Sequence, residues 1–332
     1  MEDTRITARL DEAIIPNTNL IYCATVNLTW NELATYLKGT VTFPEPCSSV
    51  DFLNRRSFTK DHLDENCYLA YASTVAEGIL ERIPKDLREK FNETSRLNLD
   101  PNLFSASDII AYSFLLKVLT FSKKFNEVKG HHFTAYDRLN PVQAFGIKKV
   151  DRETDPKMLG QVTVHSYNNE DDFIVSLDTG KDQMVLAQMP PQDTLEKTYD
   201  IVVATVEGQP TQDQRLENGE SLIVPKLFFD LEHHFEEMIC KDLLVDGNPT
   251  DYFIRDAVQF IKFSLDEEGA KLRSEMALMA IRCVAMFPQV TPRRFEFEKP
   301  FLVYLKEKRE LPPYFVAWVA NSEIMKEAQI EV

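Results

Sequence analysis

Glycine is scarce in this chain, with 10 in 332 residues against a typical share of about 7%. Neither G-x-G-x-x-G nor G-x-x-x-x-G-K-[ST] occurs, so loops that cradle a phosphate in bare backbone are unsupported. Basic charge is also short: 37 Lys and Arg stand against 53 Asp and Glu, a formal net charge of −16. No Lys/Arg stripe offers phosphates a surface, which argues against a nucleic-acid partner. The five cysteines, Cys23, Cys47, Cys67, Cys240 and Cys283, are odd in number, widely spaced and without a C-x-x-C pair. They fit neither a disulfide framework nor a zinc knuckle, and predict reduced thiols. No apolar run reaches membrane-spanning length; the one near Ile109 to Phe121 is interrupted by Lys117. The opening Met1-Glu2-Asp3-Thr4-Arg5 lacks the basic and apolar regions of a secretory signal, so the expectation is a cytoplasmic protein without a membrane partner. The sequons at Asn27 and Asn92 are then chance matches.

What is present is core material: 44% hydrophobic residues, 22 of them Phe, enough in a chain of this length to bury a sizeable core. No repeat, low-complexity tract or Gly/Ser linker divides it, which predicts one domain over 1–332. Val26, Trp30, Leu33 and Leu37 recur at helical steps, and a second helix is expected from Asp64 to Asn92, with Leu69, Ala72, Val75 and Leu80 on its apolar side and Pro84 as a break. From Ile109 the alternation predicts a strand through Tyr112, Phe114, Leu116 and Val118, covered on both faces. Strands are expected at Phe173–Leu177 and Met184–Met189 around the turn Thr179-Gly180-Lys181-Asp182, at Ile201–Val206, and at Ser221–Asp230 after the turn Asn218-Gly219. A helix is expected at Leu231–Leu244, followed by strands with Ile261, Phe263 and Leu265 on one face, then at Phe295/Phe297, Phe301–Leu305 and Tyr314–Val319. Helices first and mostly β afterwards predict an α+β fold with large, mostly antiparallel sheets.

The C-terminal third carries a family resemblance. Ile261-Lys262-Phe263-Ser264-Leu265-Asp266-Glu267-Glu268-Gly269-Ala270 resembles the strand and hinge that lead into the reactive loop of the serpins, the serine-protease-inhibitor superfamily. Phe295-Glu296-Phe297-Glu298-Lys299-Pro300-Phe301-Leu302 is similar to the strand pair after that loop, and Tyr314-Phe315-Val316-Ala317-Trp318-Val319-Ala320-Asn321 to the last buried strand with its terminal Asn. Upstream, Ser113 to Phe125 resembles a central-sheet strand running into K-x-F, and Ile223-Val224-Pro225-Lys226-Leu227 the V-P-K-F strand. The ordered set covers about two thirds of the chain. The family's early Ser-Pro-x-Ser segment has no counterpart; Ser48-Ser49 lies in a Pro-rich stretch.

The resemblance implies a single serpin-like domain whose segment of about 267–294 corresponds to the reactive loop. It implies no catalysis and no cofactor, and a serine or cysteine protease as partner, failing which an unidentified protein. An inhibitory serpin offers the loop as a substrate and then inserts it as a new strand, which requires small, uncharged hinge residues. Here Glu267, Glu268, Gly269 and Ala270 fit the hinge, but Lys271, Leu272, Arg273, Ser274 and Glu275 follow. Alternation places Ala270, Leu272, Ser274, Met276, Leu278 and Ala280 on one face and Lys271, Arg273 and Glu275 on the other, the pattern of a strand. Burial of Leu272, Met276 or Leu278 would contribute roughly 1.5–3 kcal/mol each toward an inserted state. The same residue types are strong helix formers, so the segment reads as a placed strand, a helix or an exposed bait loop. If it is bait, Arg282/Cys283 suits a trypsin-like pocket, Met286/Phe287 a chymotrypsin-like one, and counting back from Lys299-Pro300-Phe301 points to Gln289/Val290.

Other chemistry-bearing residues point nowhere in particular. His233-His234-Phe235-Glu236-Glu237, on an expected helix, lacks the HExxH order of a metal site and reads as a solvated face. His131-His132 reads as a surface loop, and His165 as a cross-strand partner. No G-x-S-x-G elbow occurs, and Asp171-Asp172 and Glu267-Glu268, being adjacent, project to opposite faces of a strand rather than forming a glycosidase pair.

Overall fold

The computed structural model describes residues 2–136, 138–208, 214–270 and 292–328. In chain order the elements begin with β1 (Thr4–Thr7), β2 (Asn19–Cys23), α1 (Thr25–Leu37), β3 (Val41–Thr42), α2 (Ser48–Leu53), β4 (Tyr68–Thr74), α3 (Ile79–Phe91) and β5 (Ile109–Leu115). Next come β6 (Leu119–Thr120), β7 (Asn126–Ala135), β8 (Arg138–Ile147), α4 (Pro156–Gly160), β9 (Val162–Asn169), β10 (Asp172–Asp178), β11 (Asp182–Gln188) and α5 (Leu195–Val206). The rest is strand: β12 (Ser221–Pro225), β13 (Leu227–His234), β14 (Asp242–Val245), β15 (Asn248–Phe253), β16 (Val258–Asp266), β17 (Gly269–Ala270), β18 (Arg294–Glu296), β19 (Phe301–Glu307) and β20 (Phe315–Val319). This is the expected α+β class with mostly antiparallel sheets. The chain divides into two compact units that interleave in sequence: one from Met1–Tyr22, Val118–Asp230 and Lys262–Val332, the other from Cys23–Lys117 and Leu231–Ile261.

The first unit is built on a seven-stranded sheet in the order β1-β2-β20-β19-β11-β10-β9. Its middle strands are long apolar runs because both faces are covered: every residue of β20 is buried, and Val303, Tyr304 and Val316 have no exposed surface. The β10–β11 hairpin turns where expected, with Leu177 opposite Met184. Phenylalanines join this sheet to the strand before β19. Phe173 meets Phe295 and Phe297 edge to face at 5.5 and 4.9 Å, and Phe297 lies 5.0 Å from Phe301. At the other end a wholly buried Asn19 accepts from the Ala320 and Asn321 backbone amides at 2.7 and 3.0 Å and donates to the Asn321 side chain at 2.7 Å. Asn321 is thus the polar clip that ties β20 to β2. A four-stranded sheet, β18-β12-β8-β7, completes the β architecture of this unit together with β6, β17 and the adjoining parts of β13 and β16. Gly146 sits at φ +144 in β8, and a Cβ there would stand 1.9 Å from the Leu222 carbonyl oxygen, so only glycine allows β8 and β12 to pair this closely.

In the second unit α1 forms on the expected stripe, with Leu28, Trp30 and Leu33 buried, and ends in the left-handed conformation of Lys38. Asn27 is fully buried, which leaves a glycan no room. A two-stranded sheet of β4 and β5 packs with α3 around Tyr71, Ile79, Ile83, Leu87 and Tyr112.

Several expectations are corrected. Asp64–Asn92 is not one helix: Tyr68–Thr74 is strand β4, paired residue for residue with β5, and α3 starts only after Gly78 at φ +83. Pro84 lies inside α3 without ending it, because burial of Ile79, Ile83 and Leu87 offsets the one backbone bond it removes. Strand β5 stops at Leu115, is buried only at Tyr112, and leaves Val118 exposed, so it is not covered on both faces. Ile201–Val206 is the end of helix α5, despite its β-branched residues. Thr194 caps that helix by accepting from the Lys197 amide, and Leu195, Tyr199 and Val202 bury one stripe. Leu231–Leu244 is not helix either, since β13 runs on to His234 beside β16 and β14 begins at Asp242. No helix among the described residues is long and apolar enough to cross a membrane.

Candidate functional site

The hinge-like sequence lies where β16 reverses. Leu265 and Asp266 pair antiparallel with Ala270 and Gly269, so Glu267-Glu268 forms a two-residue turn. On its other edge β17 pairs antiparallel with β6, Gly269 with Thr120 and Ala270 with Leu119. The first two residues after the turn therefore occupy a strand position with partners on both sides. Gly269 is required there: its φ is +137, and a Cβ would lie 2.1 Å from the Leu119 carbonyl oxygen. Ala270, with only a methyl group, is buried at 2% exposure.

The turn is held as firmly as the strand. The Glu267 and Glu268 carbonyls accept from the Phe125 and Phe121 amides at 2.9 and 3.0 Å. The Glu267 carboxylate lies 2.6 Å from the Lys226 ammonium and 3.4 Å from that of Lys124, which also reaches Glu268 at 3.2 Å. Lys226 pairs in addition with Glu127 at 3.0 Å. Lys226 and Glu267 are both buried, at 6% and 8% exposure. Burial works against the charge on Glu267, and the Lys226 ammonium, helped by Lys124, outweighs it and holds the carboxyl well below the usual range. Burial likewise opposes the charge on Lys226, and Glu267 and Glu127 outweigh it and raise its pKa. Both groups are ionised at neutral pH. The aromatic trio Phe121, Phe125 and Phe145, with ring centroids 4.9 to 6.1 Å apart, covers the chain between β6 and β7 that carries Lys124.

Of the expected site residues, Glu267, Glu268, Gly269 and Ala270 are brought together here. Lys271, Leu272 and Arg273, together with Arg282, Cys283, Met286, Phe287, Gln289 and Val290, lie outside the described residues. Sequence reasoning missed Lys226, Lys124 and Glu127 as partners of the turn. A lysine inside the apolar run Leu222–Leu227 was the signal, because a cation buried among strand residues needs an anion.

The histidines resolve differently from expectation. His131 is not on a surface loop: it lies in β7, buried, with Nε2 3.1 Å from the Phe297 carbonyl oxygen, and burial pushes its pKa down. His165 meets Ser176 of the neighbouring strand at 2.8 Å, the cross-strand contact expected of it. His233 and His234 end a strand, not a helix, and His234 stands between Asp256 at 2.8 Å and Glu232 at 3.2 Å. Among the described residues no group of three or more His, Cys, Asp or Glu is placed to hold a metal ion.

No family model matches this sequence, and no curated protein is similar to it. Solved structures are. The chain is similar to thyroxine-binding globulin in complex with thyroxine, with a TM-score of 0.53 at 10% identity over 92% of this chain and 93% of the other. It is similar to human glycosylated kallistatin, with a TM-score of 0.50 at 13% identity over 95% and 96%. A serpin from the trematode Schistosoma haematobium gives a TM-score of 0.50 at 12% identity over 92% and 94%. The chain has the serpin fold. The turn at Glu267-Glu268 and strand β17 are made of the residues that the sequence resemblance reads as the hinge of the reactive loop.

Proposed function

We propose that this serpin-fold protein acts by binding a protein partner, with a serine or cysteine protease as the class of partner, and does not trap it irreversibly. On this reading 1–332 works as one domain, and 267–294 is the segment that partners meet. One observation carries it: Gly269–Ala270 is already a strand between β16 and β6. Ala270 is buried, and the sequence beyond it alternates Leu272, Ser274 and Met276 with Lys271, Arg273 and Glu275, a pattern that suits a strand. A loop whose first two residues already sit between two strands has less left to insert after cleavage, and so less strain to release into an acyl-enzyme. The fold is compatible with a binding role, since one of its similar structures is named for binding thyroxine.

Inhibition is the second reading, favoured by likeness to native protease nexin-1, at a TM-score of 0.51 and 11% identity. The two separate on a gel and in a melt. Incubation with a panel of serine and cysteine proteases, trypsin and chymotrypsin included, is expected to give no SDS-resistant adduct, and any nick between Gly269 and Arg294 is expected to leave Tm within a few degrees. A covalent band, or a large rise in Tm after the nick, would overturn the binding reading and make inhibition the function.

A further inference from the structure

An unpaired sheet edge invites another strand unless something blocks it. Most edges of this protein are blocked. Arg5 lies in β1, Lys129 in β7, Asp230 in β13, Pro249 in β15 and Arg294 in β18, the Val164 amide of β9 is bonded to the Gln214 carbonyl, and β3 and β6 are only two residues long. The two-stranded sheet of the second unit differs. Its strand β4 reads Tyr-Leu-Ala-Tyr-Ala-Ser-Thr, without a charge or a proline and without a bulge in its pairing with β5. Among the described residues no strand lies on its far side, and Tyr68, Leu69 and Ala72 to Thr74 keep exposed surface.

The ladder fixes which backbone groups point there. The Cys67 carbonyl accepts from the Leu116 amide at 2.8 Å and the Val75 amide donates to the Asp108 carbonyl at 2.9 Å, both in the β4–β5 register, so the odd-numbered residues of β4 face β5 and the even-numbered ones face outward. At one end Lys90 Nζ donates to the Tyr68 carbonyl at 2.7 Å; at the other Glu77 Oε2 accepts from the Thr74 amide at 2.9 Å. Between them the amides and carbonyls of Ala70 and Ala72 have no hydrogen-bond partner among the described residues. Lys90 otherwise meets only the Glu65 carbonyl and aromatic faces, and Glu77 the hydroxyls of Ser73 and Tyr36, so neither charge has an ion-pair partner among the described residues. The edge is open in its middle, with an uncompensated cation at one end and an uncompensated anion at the other.

We propose that β4 is a self-association edge, at which two copies of this chain pair β4 against β4, antiparallel, across a two-fold axis through Tyr71. That register sets Ala70 opposite Ala72 of the second copy, and each such pair exchanges an amide and a carbonyl, so the open middle is satisfied on both chains. It also sets Tyr68 opposite Thr74 of the second copy, which brings the Lys90 ammonium of each chain to the Glu77 carboxylate of the other. A parallel arrangement would bring like charges together, so the end charges choose the orientation. The occupant is a second copy because the edge is complementary to itself: its strand is uncharged throughout, and its two ends carry opposite signs. One short strand makes a small interface, and the expected dissociation constant lies between about 1 μM and 1 mM.

The test is sedimentation equilibrium of the full chain at neutral pH and low ionic strength, where exposed ion pairs are least screened. The mass should rise toward twice that of the monomer as the concentration approaches about 1 mM, and amide hydrogen exchange at Ala70 and Ala72 should slow over the same range. Lys90→Glu and Glu77→Lys should each stay monomeric, because each sets like charges face to face. An equimolar mixture of the two should dimerise, since both contacts across the axis are then opposite in sign. The proposal is overturned by a wild-type chain that stays monomeric at about 1 mM, by a dimer in which Ala70 and Ala72 exchange as fast as in the monomer, by single variants that associate as tightly as the wild type, or by two folded variants whose mixture does not associate. The wild-type readings decide the matter even where a variant fails to fold.

Discussion

The seven-stranded sheet and the turn at Glu267-Glu268 belong to the same unit and are held together by opposite means. The sheet is closed by apolar burial: Phe173, Val175, Leu186, Val303 and Val316 have no exposed surface, and few charges enter its middle strands. At the turn two buried ions, Lys226 and Glu267, do the holding, with Lys124 beside them and a glycine that admits no side chain. Apolar packing carries no titratable group and so does not respond to pH. Paired buried charges are worth little while intact and cost a great deal when one partner is removed. The fold therefore has one region that resists most conditions and one that a single charge or methyl group can open.

The comparison yields four tests, in descending size of effect. Phe173→Ala should cost about 3–5 kcal/mol of global stability, because it leaves a cavity among Phe295, Phe297 and Tyr167. Urea melts at pH 7 and pH 5 should show the same loss, and a loss that depends on pH would break the contrast. Lys226→Ala should cost about 3 kcal/mol, since Glu267 is left buried without its main partner. The double variant Lys226→Met/Glu267→Gln should recover most of that loss; no recovery in the urea midpoint would mean that packing, not charge, holds the turn.

Gly269→Ala should cost about 1–3 kcal/mol through its strained φ and the clash with the Leu119 carbonyl. The damage should be local: amide hydrogen exchange should rise at Leu119, Thr120 and Leu265–Ala270, with the seven-stranded sheet still protected. Uniform exchange across both regions would show that they open together. The smallest effect is the pH term of the turn. Glu267 has its folded pKa depressed, so its contribution is fully present above the unfolded Glu value of about 4.3 and is lost as pH falls through the lower folded value. The slope of stability against pH below about 4.3 should flatten in Lys226→Met/Glu267→Gln and remain unchanged in Phe173→Ala.

The same contrast explains what could be seen in the sequence. Long apolar runs such as Phe301–Leu305 and Tyr314–Val319 were legible because a doubly covered strand leaves little choice of residue. The β10–β11 hairpin was legible from its turn, and α1 from its stripe. Half-buried pieces were not. Tyr68–Thr74 has one covered face and helix-compatible alanines, so its strand exists only by pairing with β5, some forty residues away. Ile201–Val206 carries strand-forming side chains, yet the cap at Thr194 and the buried stripe of α5 decide for helix. At the candidate site the string Glu267–Ala270 stood out by resemblance, and its partners did not. Lys226 and Lys124 lie 41 and 143 residues before Glu267, a separation over which no local pattern signals a contact.

By itself the sequence determined the class of fold and its density: abundant phenylalanine and aliphatic runs demand large buried sheets. It determined as well that position 269 can take the φ of a strand entered from a tight turn, because glycine alone carries no Cβ. Only the tertiary structure decided which charges meet, that Ala270 is already paired on both edges, and that His131 is inside. Those outcomes depend on contacts between residues distant along the chain, and a pairing of that kind is fixed by the packing of whole sheets rather than by any neighbourhood in the sequence.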